Sequence, residues 1–171
     1  MPLFGKIFEK TILITLNETL EEKLPQSQYA YRRNKSTENA ICRIVDQIQY
    51  TEESIMINFD LIRAFGRVVG SRVGKKLLLW KVHPALANVV RLLIVRRKFK
   101  AEVRKGEFKC QSVPRTARRG VPQGSSLGPL LFIADANSLI LKLEATNVQI
   151  TTYADDIALI YNIVPGGKTR S

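Results

Sequence analysis

Apolar positions recur along the chain in two alternating patterns. Phe4, Phe8, Ile12, Leu16, Leu20 and Leu24 repeat at helical spacing with Glu and Lys between them, which predicts a helix over 4–24 ended by Pro25. The polar, basic stretch QSQYAYRRNKST follows as a loop. Ser36 or Thr37 can cap a second helix with an apolar stripe of Ile41, Ile44, Val45 and Ile48. The period then changes to two. In SIMINFD, Ile55, Ile57 and Phe59 alternate with Met56, Asn58 and Asp60, so a strand ends on an aspartate.

Helical spacing resumes from Leu61 and again over 77–95, with His83 and Pro84 at a helix boundary. KFKAEVRKGEFKCQSV predicts a hairpin turning near Gly106. RRGVPQGSSLGP is a Gly/Pro-rich loop before an amphipathic helix over 126–145. NVQITTYADDIALIYNI predicts two short strands about a turn at Ala154, and VPGGKTRS a frayed tail. Strands and helices mix without regular alternation of parallel units. The expected class is α+β, an antiparallel sheet packed on helices.

Composition narrows the partners. The 171 residues carry 45% hydrophobic and 25% charged side chains, which suits a globular domain. The net charge of +12 points to a polyanion, nucleic acid before an anionic membrane surface. No apolar run is long enough to span a bilayer. Cys42 and Cys110 form no CxxC pair and read as buried, reduced thiols of an intracellular protein. The segment from Arg91 to Arg119 is the most one-sided in charge. Arg96, Arg97, Lys98, Lys100, Arg118 and Arg119 are its candidate phosphate contacts, and only Glu102 and Glu107 oppose the cations there.

Asp155 and Asp156 lie side by side in an otherwise apolar hairpin. One reading is a solvated turn, since Asp favours turns. The other starts from the mutual repulsion of two neighbouring carboxylates, which a divalent cation relieves; magnesium prefers such oxygens and leaves room for phosphate. A third carboxylate would complete a site for two metals, and Asp60 is the best candidate, although it can equally cap a helix from Leu61. Three carboxylates with two magnesium ions suit phosphoryl or nucleotidyl transfer.

QYAYRRNKSTENAI, INFDLIRAF, RRGVPQGSSLGPLLF and YADD occur in this order and at family spacing. Together they resemble the reverse transcriptase domain of non-LTR retrotransposons over nearly the whole chain. The resemblance implies a right-hand polymerase, with fingers over about 1–50 and palm over about 51–163. It also implies two Mg2+ ions held by Asp60, the Leu61 carbonyl, Asp155 and Asp156. Phe65 matches the steric gate against a ribose 2′-OH, though by spacing alone it is a core Phe. Gln123 and Gly124 match the loop under the incoming nucleotide. Arg32 and Arg33 match the fingers segment, where one of them would meet the triphosphate. The implied partners are an RNA template, a DNA primer and deoxynucleoside triphosphates, with no membrane, in cytoplasm and nucleus.

The chain also departs from the family. Ala64-Phe65-Gly66 stands where the family has Ala-Phe-Asp, and Asn137-Ser138 where it has Asn-Asp. The resemblance also implies that the thumb expected after YADD is missing. These departures predict a truncated copy with impaired or lost activity. Two alternatives stay open: a basic nucleic-acid-binding remnant without catalysis, and a two-magnesium nuclease.

Overall fold

A computed structural model of the chain describes residues 3–49, 52–122 and 124–163. Its helices are α1 (Leu3–Glu21), α2 (Thr37–Ile48), α3 (Ala64–Arg67), α4 (Gly70–Leu79), α5 (Pro84–Val95) and α6 (Gly128–Glu144). Its strands are β1 (Glu53–Asp60), β2 (Arg97–Phe99), β3 (Glu102–Lys105), β4 (Phe108–Gln111), β5 (Arg115–Ala117), β6 (Gln149–Tyr153) and β7 (Asp156–Ile163). Helices and antiparallel sheets mix as expected. The chain divides into two compact units, one of Met1–Thr19 with Phe65–Asp135, the other of Leu20–Ala64 with Ala136–Ser171.

The second unit is built on a three-stranded antiparallel sheet in the order β1-β7-β6. Central β7 and edge β6 are packed on both faces. Ile150 and Ile157 form a core with Ile140 of α6, against which Leu61, Leu143 and Leu159 pack. On the other face Thr151 Oγ1 donates to Gln47 Oε1 of α2 at 3.2 Å, and Asn162 Nδ2 donates to the Gln47 carbonyl at 3.0 Å. That contact turns α2 so that Ala40 and Gln47 are buried, while Ile41 and Val45, expected inside, are exposed. Edge strand β1 is open on both faces; Ile55, Met56, Ile57 and Phe59 are 44–51% exposed.

Serine rather than threonine caps α2. Ser36 Oγ accepts the Asn39 N–H at 3.2 Å, and the Asn39 side chain accepts the Ser36 N–H at 3.0 Å, a reciprocal capping box.

In the first unit α4 packs on α5. The break between them falls at His83-Pro84, where the His83 ring accepts the Ala85 N–H. No helix starts at Leu61; helical structure begins at the short α3, so Asp60 is the last strand residue and does not directly precede a helix. The expected single hairpin is two nested pairs, β3 with β4 around Gly106 and β2 with β5 outside them. In α1, Ile12 and Leu16 are buried, but Phe4 and Phe8 are exposed. Cys42 and Cys110 are free, as expected, yet exposed rather than buried: Cys42 lies off the α2 face that meets the sheet, and Cys110 sits on the open β3-β4 hairpin. No helix among the described residues is long and apolar enough to cross a membrane. The tail at 164–171 lies outside the described residues.

Candidate active site

In the second unit the three aspartates gather at one end of the sheet. Asp60 ends β1 and Asp156 opens β7, and the two are direct partners in the antiparallel register. Asp155 lies in the two-residue turn between β6 and β7. The turn is closed by the Tyr153–Asp156 pair. Its first residue, Ala154, takes φ +56°, a left-handed conformation that suits glycine or asparagine better than alanine. The Leu61 N–H donates to the Asp155 carbonyl at 3.1 Å, tying the end of β1 to the turn. The Leu61 carbonyl accepts the Ala64 N–H at 3.1 Å and keeps a second lone pair.

The local sequence explains why the carboxylates face outward. Their chain neighbours Leu61 and Ile157 pack into the apolar core, which leaves Asp60 and Asp156 exposed and Asp155 half-buried. Tyr31 borders this cluster. Burial, then the Asp155 charge, then Tyr153 raise its phenol above the ordinary tyrosine range.

The carboxylates suit magnesium in donor chemistry. Among the described residues no three His, Cys, Asp or Glu side chains close up tightly enough to hold a metal on their own. Magnesium does not require such a cage, because it usually takes one or two carboxylates and completes its shell with water and substrate phosphate.

Arg32 and Arg33 differ sharply. Arg32 is buried, pairs with Glu21 at 2.7 Å and donates to the Pro25 and Gln28 carbonyls, so its guanidinium is committed to holding the segment after α1. Arg33 is exposed.

In the first unit the loop before α6 is held from several sides. The Gly120 N–H donates to the Val68 carbonyl at 2.8 Å, and the Val121 N–H to the Phe65 carbonyl at 2.9 Å. The Phe65 ring is half-buried and stacks on Phe132 with centroids 5.2 Å apart. Farther along, Glu9 of α1 is buried; its Oε2 accepts the Ser125 hydroxyl and the Ser126 N–H, both at 2.8 Å. Gly124 takes φ +77°, and a Cβ placed there would meet no atom within 4 Å. Its backbone is therefore open to close approach by a ligand. Gln123 lies outside the described residues.

The basic segment is mostly free surface. Arg96, Lys98, Lys100, Arg118 and Arg119 are exposed. Arg97 is half-buried and donates to the Gly120 carbonyl, so it also serves the loop. Burial lowers its pKa, and the Glu9 charge opposes that shift. Glu102 is engaged by Arg104, Lys109 and Gln111 within the β3-β4 hairpin.

Sequence reasoning passed over Glu9 and Gln28, both buried polar residues that hold loops. Glu9 could have been found, since it falls on the Ile12–Leu16 stripe at helical spacing. Gln28 carries no such signal, because it lies in an aperiodic loop.

Known proteins resemble the chain in sequence and in fold. The chain is 34% identical over 92% of its length to a probable RNA-directed DNA polymerase from transposon BS of Drosophila melanogaster. It is 31% identical over 94% to the RNA-directed DNA polymerase from mobile element jockey of Drosophila funebris. It spans 18% of the length of each of these relatives. A solved structure of apo telomerase from Candida tropicalis, truncated from its C-terminal domain, shares the fold with TM-score 0.62 at 16% identity, covering 91% of this chain and 34% of that one. The family model for reverse transcriptase (RNA-dependent DNA polymerase) matches residues 1–163, and the chain belongs to that family, among the polymerases of non-LTR retrotransposons.

Proposed function

We propose that the chain carries the metal-binding and nucleotide-seating part of an RNA-directed DNA polymerase, with fingers over about 1–50 and palm over about 51–163. The observation that carries this reading is the pairing of Asp60 with Asp156 beside Asp155, at one end of a sheet in a reverse transcriptase chain. The reaction is attack of a primer 3′-hydroxyl on the α-phosphorus of a deoxynucleoside triphosphate, with pyrophosphate leaving. Asp60, Asp155, Asp156 and the Leu61 carbonyl would hold two magnesium ions. When bound, the ions supply charge neutralisation at the attacking and leaving oxygens.

The chain's own groups supply placement. Phe65, braced by Phe132, serves as the gate against a 2′-hydroxyl. Gly124 offers an open backbone beside the incoming nucleotide. Arg33 is exposed where Arg32 is engaged, which supports Arg33 as the arginine that meets the triphosphate. The exposed Arg96, Lys98, Lys100, Arg118 and Arg119 contact template and primer phosphates without reading sequence. Gly66 removes a carboxylate from the segment after Asp60, which weakens nucleotide positioning and lowers activity.

Primer extension on an RNA template with magnesium and deoxynucleotides tests the reading, beside Asp155→Asn. Extension that disappears in the variant supports it. A folded chain that never extends a primer, yet binds RNA in a salt-sensitive way unaffected by Asp155→Asn, establishes the binding remnant instead. Cleavage of nucleic acid without nucleotides establishes a nuclease.

A further inference from the structure

Gln28 lies in the segment between α1 and α2 and is fully buried, with 0% exposure. Its backbone is anchored to β6. Gln28 and Thr152 form a parallel bridge, flanked by Tyr29 N–H to the Thr152 carbonyl at 2.9 Å and Thr152 N–H to the Ser27 carbonyl at 2.8 Å. The side chain then reaches the turn. Its Oε1 accepts the Ala30 N–H at 2.9 Å and the Ala154 N–H at 3.2 Å.

Two observations make this contact more than packing. Ala154 is the left-handed turn residue immediately before Asp155, and a non-glycine residue there costs roughly 1–2 kcal/mol. Its N–H is held by the side-chain Oε1 of Gln28. The Gln28 Nε2 finds no partner among the described residues. The amide cannot be turned over to satisfy it, because both neighbours of Oε1 are N–H donors. An orphaned buried donor costs roughly 1–3 kcal/mol, which an apolar side chain of the same size would avoid. The acceptor is what the position supplies.

We propose that Gln28 is a positioning residue for Asp155: it captures the Ala154 N–H, holds the turn in its left-handed form, and so fixes the direction of the Asp155 carboxylate toward a divalent cation. This rests on the polymerase reading for the cation, but not for the hydrogen bond. Outer groups that orient metal ligands affect metal affinity by about 10–100-fold.

The test compares the chain with Gln28→Met, which keeps volume and loses the acceptor, and Gln28→Glu, which keeps an acceptor. Amide exchange at Ala154 is measured alongside Mg2+ binding by calorimetry and the magnesium midpoint of primer extension. The expected result is faster Ala154 exchange in Gln28→Met with β7 amides still protected, restored protection in Gln28→Glu, and Mg2+ binding weakened about tenfold in Gln28→Met. Unchanged Ala154 exchange overturns the contact. Faster exchange with unchanged Mg2+ affinity overturns the positioning role. A wild-type chain that neither binds Mg2+ nor extends a primer overturns the polymerase reading and the cation with it, while the Ala154 exchange still reports the hydrogen bond. Loss of β7 protection in Gln28→Met together with normal Ala154 protection in Gln28→Glu supports the contact through the conservative variant.

Discussion

Asp60 and Asp156 face each other as direct cross-strand partners of β1 and β7. Like charges in that position destabilise an antiparallel pair by roughly 0.2–1 kcal/mol. On the proposed polymerase reading, a cation bound by the two carboxylates would relieve this conflict. Asp156→Asn should therefore raise the melting temperature slightly without magnesium, while primer extension falls. Millimolar Mg2+ should raise the melting temperature of the wild type and leave a smaller rise in the variant, since a ligand of the folded state stabilises in proportion to its occupancy. Equal magnesium shifts in both proteins would sink the assignment.

Gly120 has no room for a side chain. It takes φ +79°, and a Cβ there would lie 2.9 Å from the Gly66 Cα and carbonyl oxygen. Gly120→Ala should lose roughly 1–3 kcal/mol from backbone strain and displaced neighbours. Gly124→Ala is the control, with a similar φ and open space around it, so it should lose less. Urea denaturation of the two variants reads the difference, and equal losses would mean that the close approach to Gly66 carries no energy.

Glu9 is the other restraint on this loop. Glu9→Leu strands the Ser125 hydroxyl and the Ser126 N–H and should cost roughly 1–3 kcal/mol. Glu9→Gln keeps an acceptor and should lose less than half of that. Exchange of the Ser126 amide should quicken in Glu9→Leu and stay slow in Glu9→Gln; the reverse order would refute the hydrogen-bond account.

The elements were legible where one period ran unbroken. The alternation in SIMINFD marked β1, although both faces of that edge strand are open, and the apolar run around Ala154 marked the last hairpin, whose strands are packed on both faces. The α2 stripe misled, because Gln47 is buried where its side chain accepts the Thr151 hydroxyl and its backbone carbonyl accepts the Asn162 side-chain amide, and such pairing is invisible to hydropathy. The helix expected from Leu61 begins only at Ala64, after a tight turn in which the Leu61 carbonyl accepts the Ala64 N–H. The aspartates could be named from the sequence, since acidic pairs stand out in an apolar segment. The groups that hold them could not, because Gln28 reaches Ala154 from a distant loop.

Lys35 offers a pH-dependent prediction. Burial, then the Arg32 charge, lower its pKa from the ordinary lysine range to about 8. The folded state thus releases a proton more readily than the unfolded chain. Stability from this group is lowest below pH 8, where both states hold the proton, and rises with pH from about 8 toward 10.5. Lys35→Met should raise the melting temperature at pH 7 and converge with the wild type by pH 10. The side chain is only half-buried, and methionine gives up the ammonium's hydrogen bonds to the Gln26 carbonyl and side chain, so the difference should be small. A gap that widens with pH would have the wrong sign.

Strand β7 lies between β1 and β6 and carries Asp156 at its start. Its pairing with β1 joins segments separated in the chain by everything from α3 to β6. During synthesis β1 leaves the ribosome long before its partner, with Ile55, Met56, Ile57 and Phe59 unsheltered. Loop closure of that length is slow and leaves the early segments open to wrong pairings. A premature stop just before β7 would therefore remove the aspartate pair's second member and the sheet's middle strand in one stroke, so that a copy lacking Asp156 would also leave the backbone edge of its first strand unpaired.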